Sequence, residues 1–464
     1  MKPLLLPVLF ACGIAAAGCS TYRAEPLDRK AVDAALVAPP IESIKIEAAR
    51  IRHPLLAPME IDGRDGFTPD EIAVTTVIVS PELRALRAQQ GVADAQVLQA
   101  GLLPNPSFNF ELDRPESYPD PVSTQITAGL TWEITSLLSH RAQVDASKSA
   151  AKSLNLSIAW QEWQAAQDAR IRAFRILSLE RRLPLAAEIE RAESETLAIM
   201  NKAFQAGQKT IVDLSTETAA FTAAQNARFD LERQLTEDRA ELNLAMGLPP
   251  KQTVRVKPGT SLPELAGEPA ALADGLLEGI EDRRLDLVAL RYGYDSQEAN
   301  LRVAVIQQFP KIALGFVHTS DTSSPSIRTN GPSVAFDLPL FDRNQGQVKI
   351  AQATRTQLFN EYVARVAQAR SDVGRILANI AVVHSQLQTA ETSIPDLKRV
   401  VDASEAALKN GNSDILAYRD AHAALATREM EQSELRRMRN QAPTPIATIT
   451  RMTTIFFMNV YCLK

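Results

Sequence analysis

The side chains that could carry catalysis or bind a metal are few and scattered in this 464-residue chain. No two of the five histidines have the spacing that places a pair of metal ligands on one helix face; they are His53, His140, His318, His384 and His422. No Walker A loop, dinucleotide-binding fingerprint or nucleophile elbow occurs. The sequence therefore predicts no enzyme, no metal site and no cofactor, and any energy that the protein uses must come from a partner.

Cys19 is the one side chain with a specific predicted modification. Residues 1–18 have a positive start and a short apolar stretch, which is typical of a signal peptide. Ala16-Ala17-Gly18 before Cys19 resembles a bacterial lipobox, which implies acylation of the Cys19 thiol. By the same resemblance, Ser20 in place of an inner-membrane-retaining Asp favours the outer membrane. The alternative is an ordinary signal peptide followed by an incidental cysteine.

Composition excludes several other classes of protein. The net charge is −5 and aromatic residues make up 5% of the chain, so nothing indicates a nucleic-acid partner. After the N-terminus no apolar run reaches the roughly 18–20 residues of a membrane-spanning helix. The body of the chain lacks cysteine between Cys19 and Cys462, which excludes a disulfide framework there.

The elements that must position any functional residue are alternating strands and very long helices. Alternation over 108–112 and 126–134 predicts two strands, and 139–205 with 211–246 predicts two long helices joined by a reversal at Ala206-Gly207. The same order recurs as a helix over 283–307, strands at 312–317 and 334–340, and helices over 345–409 and 414–440 around Asn410-Gly411. Each pair of long helices is predicted to form an antiparallel hairpin.

The recurrence has a constant spacing of 204 residues, which places Trp132 on Phe336 and Gly207 on Gly411. It predicts a first repeat over 81–250, a linker over 251–282 and a second repeat over 283–441. The Pro-rich residues 19–80 are predicted to be an extended, equatorial segment. The tail 442–464 departs from the repeat and is interpreted as truncated, frame-shifted or divergent.

Four strands in one chain are too few to close a membrane barrel, because known barrels begin at about eight strands and open edges in lipid leave backbone groups unpaired. If the strands span a membrane, several chains must share one barrel, and three chains would give twelve strands continued by twelve long helices. By pattern alone, half-buried hairpins of a soluble sheet remain the alternative.

Residues 80–440 resemble the TolC-type outer-membrane efflux factors. Three stretches within them resemble the heavy-metal, CzcC-like branch: Ala100-Gly101-Leu102-Leu103-Pro104-Asn105-Pro106-Ser107-Phe108, Leu242-Asn243-Leu244-Ala245-Met246-Gly247 and Leu338-Pro339-Leu340-Phe341-Asp342-Arg343-Asn344-Gln345-Gly346. The resemblance implies a mostly α fold with a small β part, in which helical hairpins form a periplasmic tunnel. It further implies a homotrimer in outer-membrane lipid that works with a periplasmic adaptor and an inner-membrane RND pump.

The resemblance also assigns site residues at the hairpin tips. Asp213 and Asp420 match acidic positions of the family's periplasmic gate, and the reversals are where the adaptor docks: Ala206, Gly207, Asn410 and Gly411. The chain departs from the prototype at Ser413 and Ala417, which puts the same ion-pair lock in doubt. Without the resemblance, each Asp is a solvated helix residue and each Gly a helix C-cap.

Two functions compete at this point. The first is a passive, gated efflux conduit whose cargo is heavy-metal cations, drugs or, as in type I secretion, protein. The second is a periplasmic coiled-coil scaffold lipoprotein. The alternating strands before each long helix favour the conduit, because a scaffold has no use for them.

Overall fold

The computed structural model describes residues 22–37, 39–114, 123–249, 252, 254–257, 275–322, 325–410 and 415–441. The chain divides into two compact units, Met1–Pro39 and Pro40–Lys464. The first contains helix α1 (Arg29–Ala35), which has no buried residue. The predicted signal peptide, Cys19 and the tail 442–464 lie outside the described residues.

The second unit contains helices and one sheet in a repeated order. Its elements are α2 (Ile41–Arg50), α3 (Pro69–Val79), α4 (Pro81–Gly101), β1 (Ser107–Asp113), β2 (Gln125–Glu133), α5 (Ser136–Gln205), α6 (Ile211–Ala245), α7 (Ile280–Arg283), α8 (Leu285–Ile306), β3 (Ile312–Asp321), β4 (Ile327–Phe336), α9 (Gln345–Lys409) and α10 (Ile415–Gln441). Adding 204 to Pro81, Gln205 and Ile211 gives Leu285, Lys409 and Ile415, which begin or end the corresponding helices. With 70 residues, α5 is about 105 Å long.

The segment predicted to be extended contains helices α2 and α3. Helix α3 begins at a capping box, in which the Thr68 side chain accepts from the Glu71 backbone N–H and the Glu71 carboxylate accepts from the Thr68 N–H. Pro69 occupies the first helical turn, where its missing N–H costs nothing. The prediction of an extended segment was therefore wrong over these two helices, because Pro40 is the N-cap of α2 and Pro69 lies in the first turn of α3, positions at which proline is compatible with helix.

The largest core lies where α2, α3, α5 and α6 meet. Its buried side chains include Ile44, Ile72, Ile176, Leu177, Leu235 and Leu242. Helix α5 is the central element, because it packs against α3, α4, α6, α8 and α10. Gly247, just after α6, has a φ of 62°, and a Cβ there would lie 2.4 Å from Cδ of Pro81. Only glycine allows this end of α6 to meet the start of α4 so closely.

The four strands form one antiparallel sheet in the order β1-β2-β3-β4. Within each repeat the strands form a hairpin, and the pairing of β2 with β3 joins the two repeats. All the helices connected to the strands meet the sheet at one end, which we call the helix end; the opposite end is the loop end. The predicted mostly α fold with a small β part is confirmed.

Candidate functional site

The reversal of the first hairpin is fixed by its own backbone. The N–H groups of Ala206, Gly207 and Gln208 donate to carbonyl groups of the last turn of α5, at 3.0, 2.9 and 2.9 Å. Gly207 has a φ of 70°, a left-handed conformation that glycine adopts without strain. Ala206 and Gly207 are both exposed. The C-cap role is therefore present, and the tip also offers an accessible surface.

Asp213 is held inside the first turn of α6. Thr210 is the N-cap; its hydroxyl accepts from the Asp213 N–H at 3.2 Å, and the Asp213 carboxylate accepts from the Thr210 N–H at 2.8 Å. The backbone N–H of Thr210, followed by its hydroxyl, lowers the pKa of Asp213 below its ordinary value. Asp213 thus remains ionised at the tip and stabilises the helix start, a role that the sequence analysis did not assign.

Asn410 and Asp420 belong to the second reversal, of which Gly411 lies outside the described residues. Asn410 is exposed after the end of α9, and Asp420 is exposed on α10. Burial of Glu193 on α5 raises its pKa above the ordinary value, and the negative charges of Glu217 on α6 and of Asp420 raise it further. The structure therefore brings three carboxylates from three helices into one electrostatic environment near the tips.

Arg419, next to Asp420, joins the second hairpin to the first. Its guanidinium donates to Oε2 of Glu195 at 2.6 Å and to Oγ1 of Thr196 at 3.0 Å on α5. The Arg419 side chain is only 15% exposed, whereas that of Glu195 is 57% exposed, so the guanidinium is shielded from solvent and the carboxylate is not. The sequence analysis missed Arg419, because its partners lie more than 220 residues away and no local spacing marks them.

The sheet has one apolar face, and that face is exposed. Ten of its large apolar side chains are between 37% and 69% exposed, and they are Phe108, Phe110, Leu112, Leu130, Trp132, Ile312, Leu314, Phe316, Val334 and Phe336. The opposite face is mainly polar, and it is closely packed around Gly315, where a Cβ would lie 2.6 Å from both Ser333 and Thr131. A sheet in water normally buries its apolar side. This arrangement needs apolar surroundings that the chain itself does not provide.

The described residues hold no group of three or more His, Cys, Asp or Glu side chains that could bind a metal ion. In the same part of the chain, none of the helices combines the length and the apolar character that crossing a membrane requires. His53 has structural partners instead, since its Nδ1 accepts from the Leu55 and Leu56 N–H groups.

Long helical hairpins that continue from a sheet with an exposed apolar face define a channel type of outer-membrane protein. The profile of the Outer membrane efflux protein family matches residues 77–248 and 276–450. The chain belongs to this family, whose members are efflux channels rather than enzymes.

Individual relatives agree with this assignment. The pyoverdine export outer membrane protein OpmQ of Pseudomonas putida is 23% identical over 391 residues, which are 77% of this chain and 80% of OpmQ. The cation efflux system protein CusC of Escherichia coli K12 is 23% identical over 53% of this chain and 55% of its own length. The CmeC outer membrane channel of Campylobacter jejuni superposes with a TM-score of 0.65 at 14% identity, covering 87% of this chain and 90% of CmeC. The last likeness concerns the fold alone.

Proposed function

We propose that this chain is the outer-membrane channel subunit of a tripartite efflux system. Three copies form a twelve-stranded barrel continued by a helical tunnel, and an adaptor and an inner-membrane RND pump supply cargo and energy. The observation that carries this proposal is the sheet, which has one exposed apolar face and two unpaired edges, at β1 and β4. Lipid on the face and a neighbouring chain on each edge would satisfy both.

The assembly is tested by extracting membranes and sizing the full-length protein. We expect a detergent-soluble, heat-modifiable trimer that forms ion-conducting channels in planar bilayers. A monomer released without detergent would instead favour the coiled-coil scaffold. Radiolabelled palmitate is expected on the native chain and absent from Cys19→Ala, which tests the lipid anchor.

The proposed gate contains Asp213 and Asp420, with the adaptor bound at Ala206, Gly207, Asn410 and Gly411. The exposure of the described tip residues and the carboxylates that surround Glu193 support this proposal. Asp420→Asn is expected to change single-channel conductance and cation selectivity. Asp94→Asn, an exposed carboxylate on α4, is the matched control and should behave like the native channel. Identical traces for all three proteins would contradict a role for Asp420.

The tips can be mapped directly, because the body of the chain contains no cysteine. Ala206→Cys and Asn410→Cys are expected to cross-link to the adaptor in cells, whereas Asp94→Cys is not. Cross-links from Asp94→Cys alone would place the adaptor elsewhere.

For the cargo, we propose heavy-metal cations and membership of the CzcC-like branch. Similarity to CusC and the three stretches in the sequence favour this choice, whereas similarity to OpmQ favours an organic cargo. Deleting the gene is expected to lower tolerance to cobalt, zinc, cadmium, copper or silver more than tolerance to hydrophobic drugs. The reverse order would assign drug efflux, and a defect in protein export alone would assign type I secretion.

A further inference from the structure

A group of polar side chains interrupts the apolar face of the sheet at its loop end. His318 and Ser320 on β3 lie opposite Asn330 and Arg328 on β4, in register. Strand alternation places all four on the face of Phe316 and Leu314, because they share the same parity. We call these four residues, His318, Ser320, Arg328 and Asn330, the rim cluster.

The rim cluster is specific to the second hairpin. The corresponding two rungs of the first hairpin pair Phe110 with Ala128 and Leu112 with Ile126. On this face the first hairpin is therefore apolar along its whole length, as far as the loop end of its strands. The polar residues of the second hairpin are therefore not required by strand pairing or by the end of the sheet.

The rim cluster presents hydrogen-bond donors in a fixed arrangement. Nδ1 of His318 lies 2.6 Å from Oδ1 of Asn330. Because a carbonyl oxygen only accepts, Nδ1 donates, and the Asn330 amide group is turned so that its NH₂ is left for another acceptor. Arg328 is exposed one rung further towards the loop end, and no ion-pair partner for it occurs among the described residues. Asn330, Ser320 and Arg328 together can donate to one anion.

Charge is segregated between the two faces of the sheet. Both basic side chains of the described strands, His318 and Arg328, lie on the apolar face. The acidic side chains of those strands all have the opposite parity; they are Glu111, Asp113, Glu133 and Asp321. An anion that approaches from the lipid side therefore meets donors and positive charge, and the carboxylates lie across the sheet.

We propose that the rim cluster binds a phosphate group of an anionic glycolipid in the outer leaflet, with Arg328 as the principal contact. A planar guanidinium suits a phosphate because two parallel N–H groups can reach two oxygens. The proposal rests on the proposed function, because it requires the apolar face to lie in the outer membrane with the loop end outward.

The test measures glycolipid bound to the trimer. Native protein, Arg328→Gln and Arg328→Lys are reconstituted in phosphatidylcholine vesicles with or without bisphosphorylated lipid A. The lipid A that remains with each repurified trimer is then quantified. Loss of one arginine near an anionic surface is expected to lower the retention of lipid A about fivefold. Arg328→Lys keeps the positive charge and should retain more lipid A than Arg328→Gln. Arg141→Gln, an exposed arginine on α5, is the charge-matched control and should match the native protein.

Trimer content and conductance are recorded on the same samples. Equal retention of lipid A by all variants that form conducting trimers would overturn the rim cluster alone. Absence of a trimer in native protein would overturn the proposed function, and the rim cluster with it. Displacement of lipid A by inorganic phosphate at equal phosphate concentration would assign a site for free phosphate and contradict a lipid site.

Discussion

The sheet and the helical body of this chain treat apolar and charged side chains in opposite ways. The sheet exposes Phe108 and Val334, while its polar face is closely packed around Gly315. The helical body buries Ile176 and Leu242, and it buries the charge of Asp238 beside Arg175. In the proposed trimer the apolar face of the sheet meets lipid, whereas the core of the helical body is buried within one chain, so the two regions should respond differently to mutation.

The largest effect is expected from a charge on the apolar face. Leu130 lies on the third of five rungs, and Leu130→Arg should cost about 2–4 kcal/mol per copy because the guanidinium would face hydrocarbon. Thr127→Arg, on the opposite face and in register with Glu111, is the control. Heat-modifiable trimer in extracted membranes is the measurement. If Leu130→Arg assembles as well as Thr127→Arg, the apolar face does not contact lipid.

An intermediate effect is expected in the helical body. Asp238 is 1% exposed, Arg175 Nε lies 3.1 Å from its Oδ2, and Arg172 lies 4.0 Å from Oδ1. Burial raises the pKa of Asp238, and Arg175 and then Arg172 oppose that change. Asp238→Ala leaves these cations without their shared partner, and we expect a loss of about 1–3 kcal/mol because both reach solvent.

Thermal unfolding of the purified trimer measures this loss. Glu237→Ala is the matched control, because Glu237 pairs with Arg233 on the exposed side of the same helix, where such pairs contribute about 0–1 kcal/mol. Equal unfolding temperatures for the two variants would mean that burial gives Asp238 no special role.

The smallest effect concerns pH and the segment that precedes α3. His53 is buried, its ring Nε2 donates to the Ala159 carbonyl at 3.0 Å, and Glu162 and Arg87 lie beside it. Burial lowers the pKa of His53; Glu162 and the Ala159 carbonyl oppose this effect, and Arg87 adds to it. The folded state therefore binds a proton less readily than the unfolded state. The contribution of His53 to the free energy of unfolding is fully present above about pH 6.5, the pKa of histidine in the unfolded chain, and it decreases as the pH falls below that value.

Thermal unfolding between about pH 7.5 and about pH 5 tests this dependence. His53→Asn keeps an acceptor for the Leu55 and Leu56 N–H groups but does not titrate, so its unfolding temperature should vary less with pH than that of the native protein. The control is His384→Asn, which makes the same substitution at another of the five histidines, on α9. Parallel pH profiles for His53→Asn and native protein would show that other groups carry the dependence.

Much of the fold could be predicted because its signals are local. The 204-residue spacing predicted the ends of α5 and α9 at Gln205 and Lys409, and alternation predicted β1 and β2 to within one residue. The strands of the second hairpin were predicted wrongly: β3 continues to Asp321 instead of ending at 317, and β4 spans Ile327–Phe336 instead of 334–340, because polar residues continue both strands towards the loop end. The candidate site was less accessible to prediction. The capping contact of Asp213 with Thr210 could have been recognised from the Thr-x-x-Asp spacing. The contact of Arg419 with Glu195 could not, because α6, the linker and most of the second repeat separate the two helices along the chain.

The sequence by itself determined the order of elements, the duplication and the alternation of the strands, because period and capping act between residues that are close along the chain. Only the tertiary structure decided that β2 pairs with β3 across the repeats, that Arg419 reaches α5, and that His318, Arg328 and Asn330 share the apolar face. Such contacts join residues whose meeting depends on how whole helices and strands pack, and no short-range pattern specifies that packing.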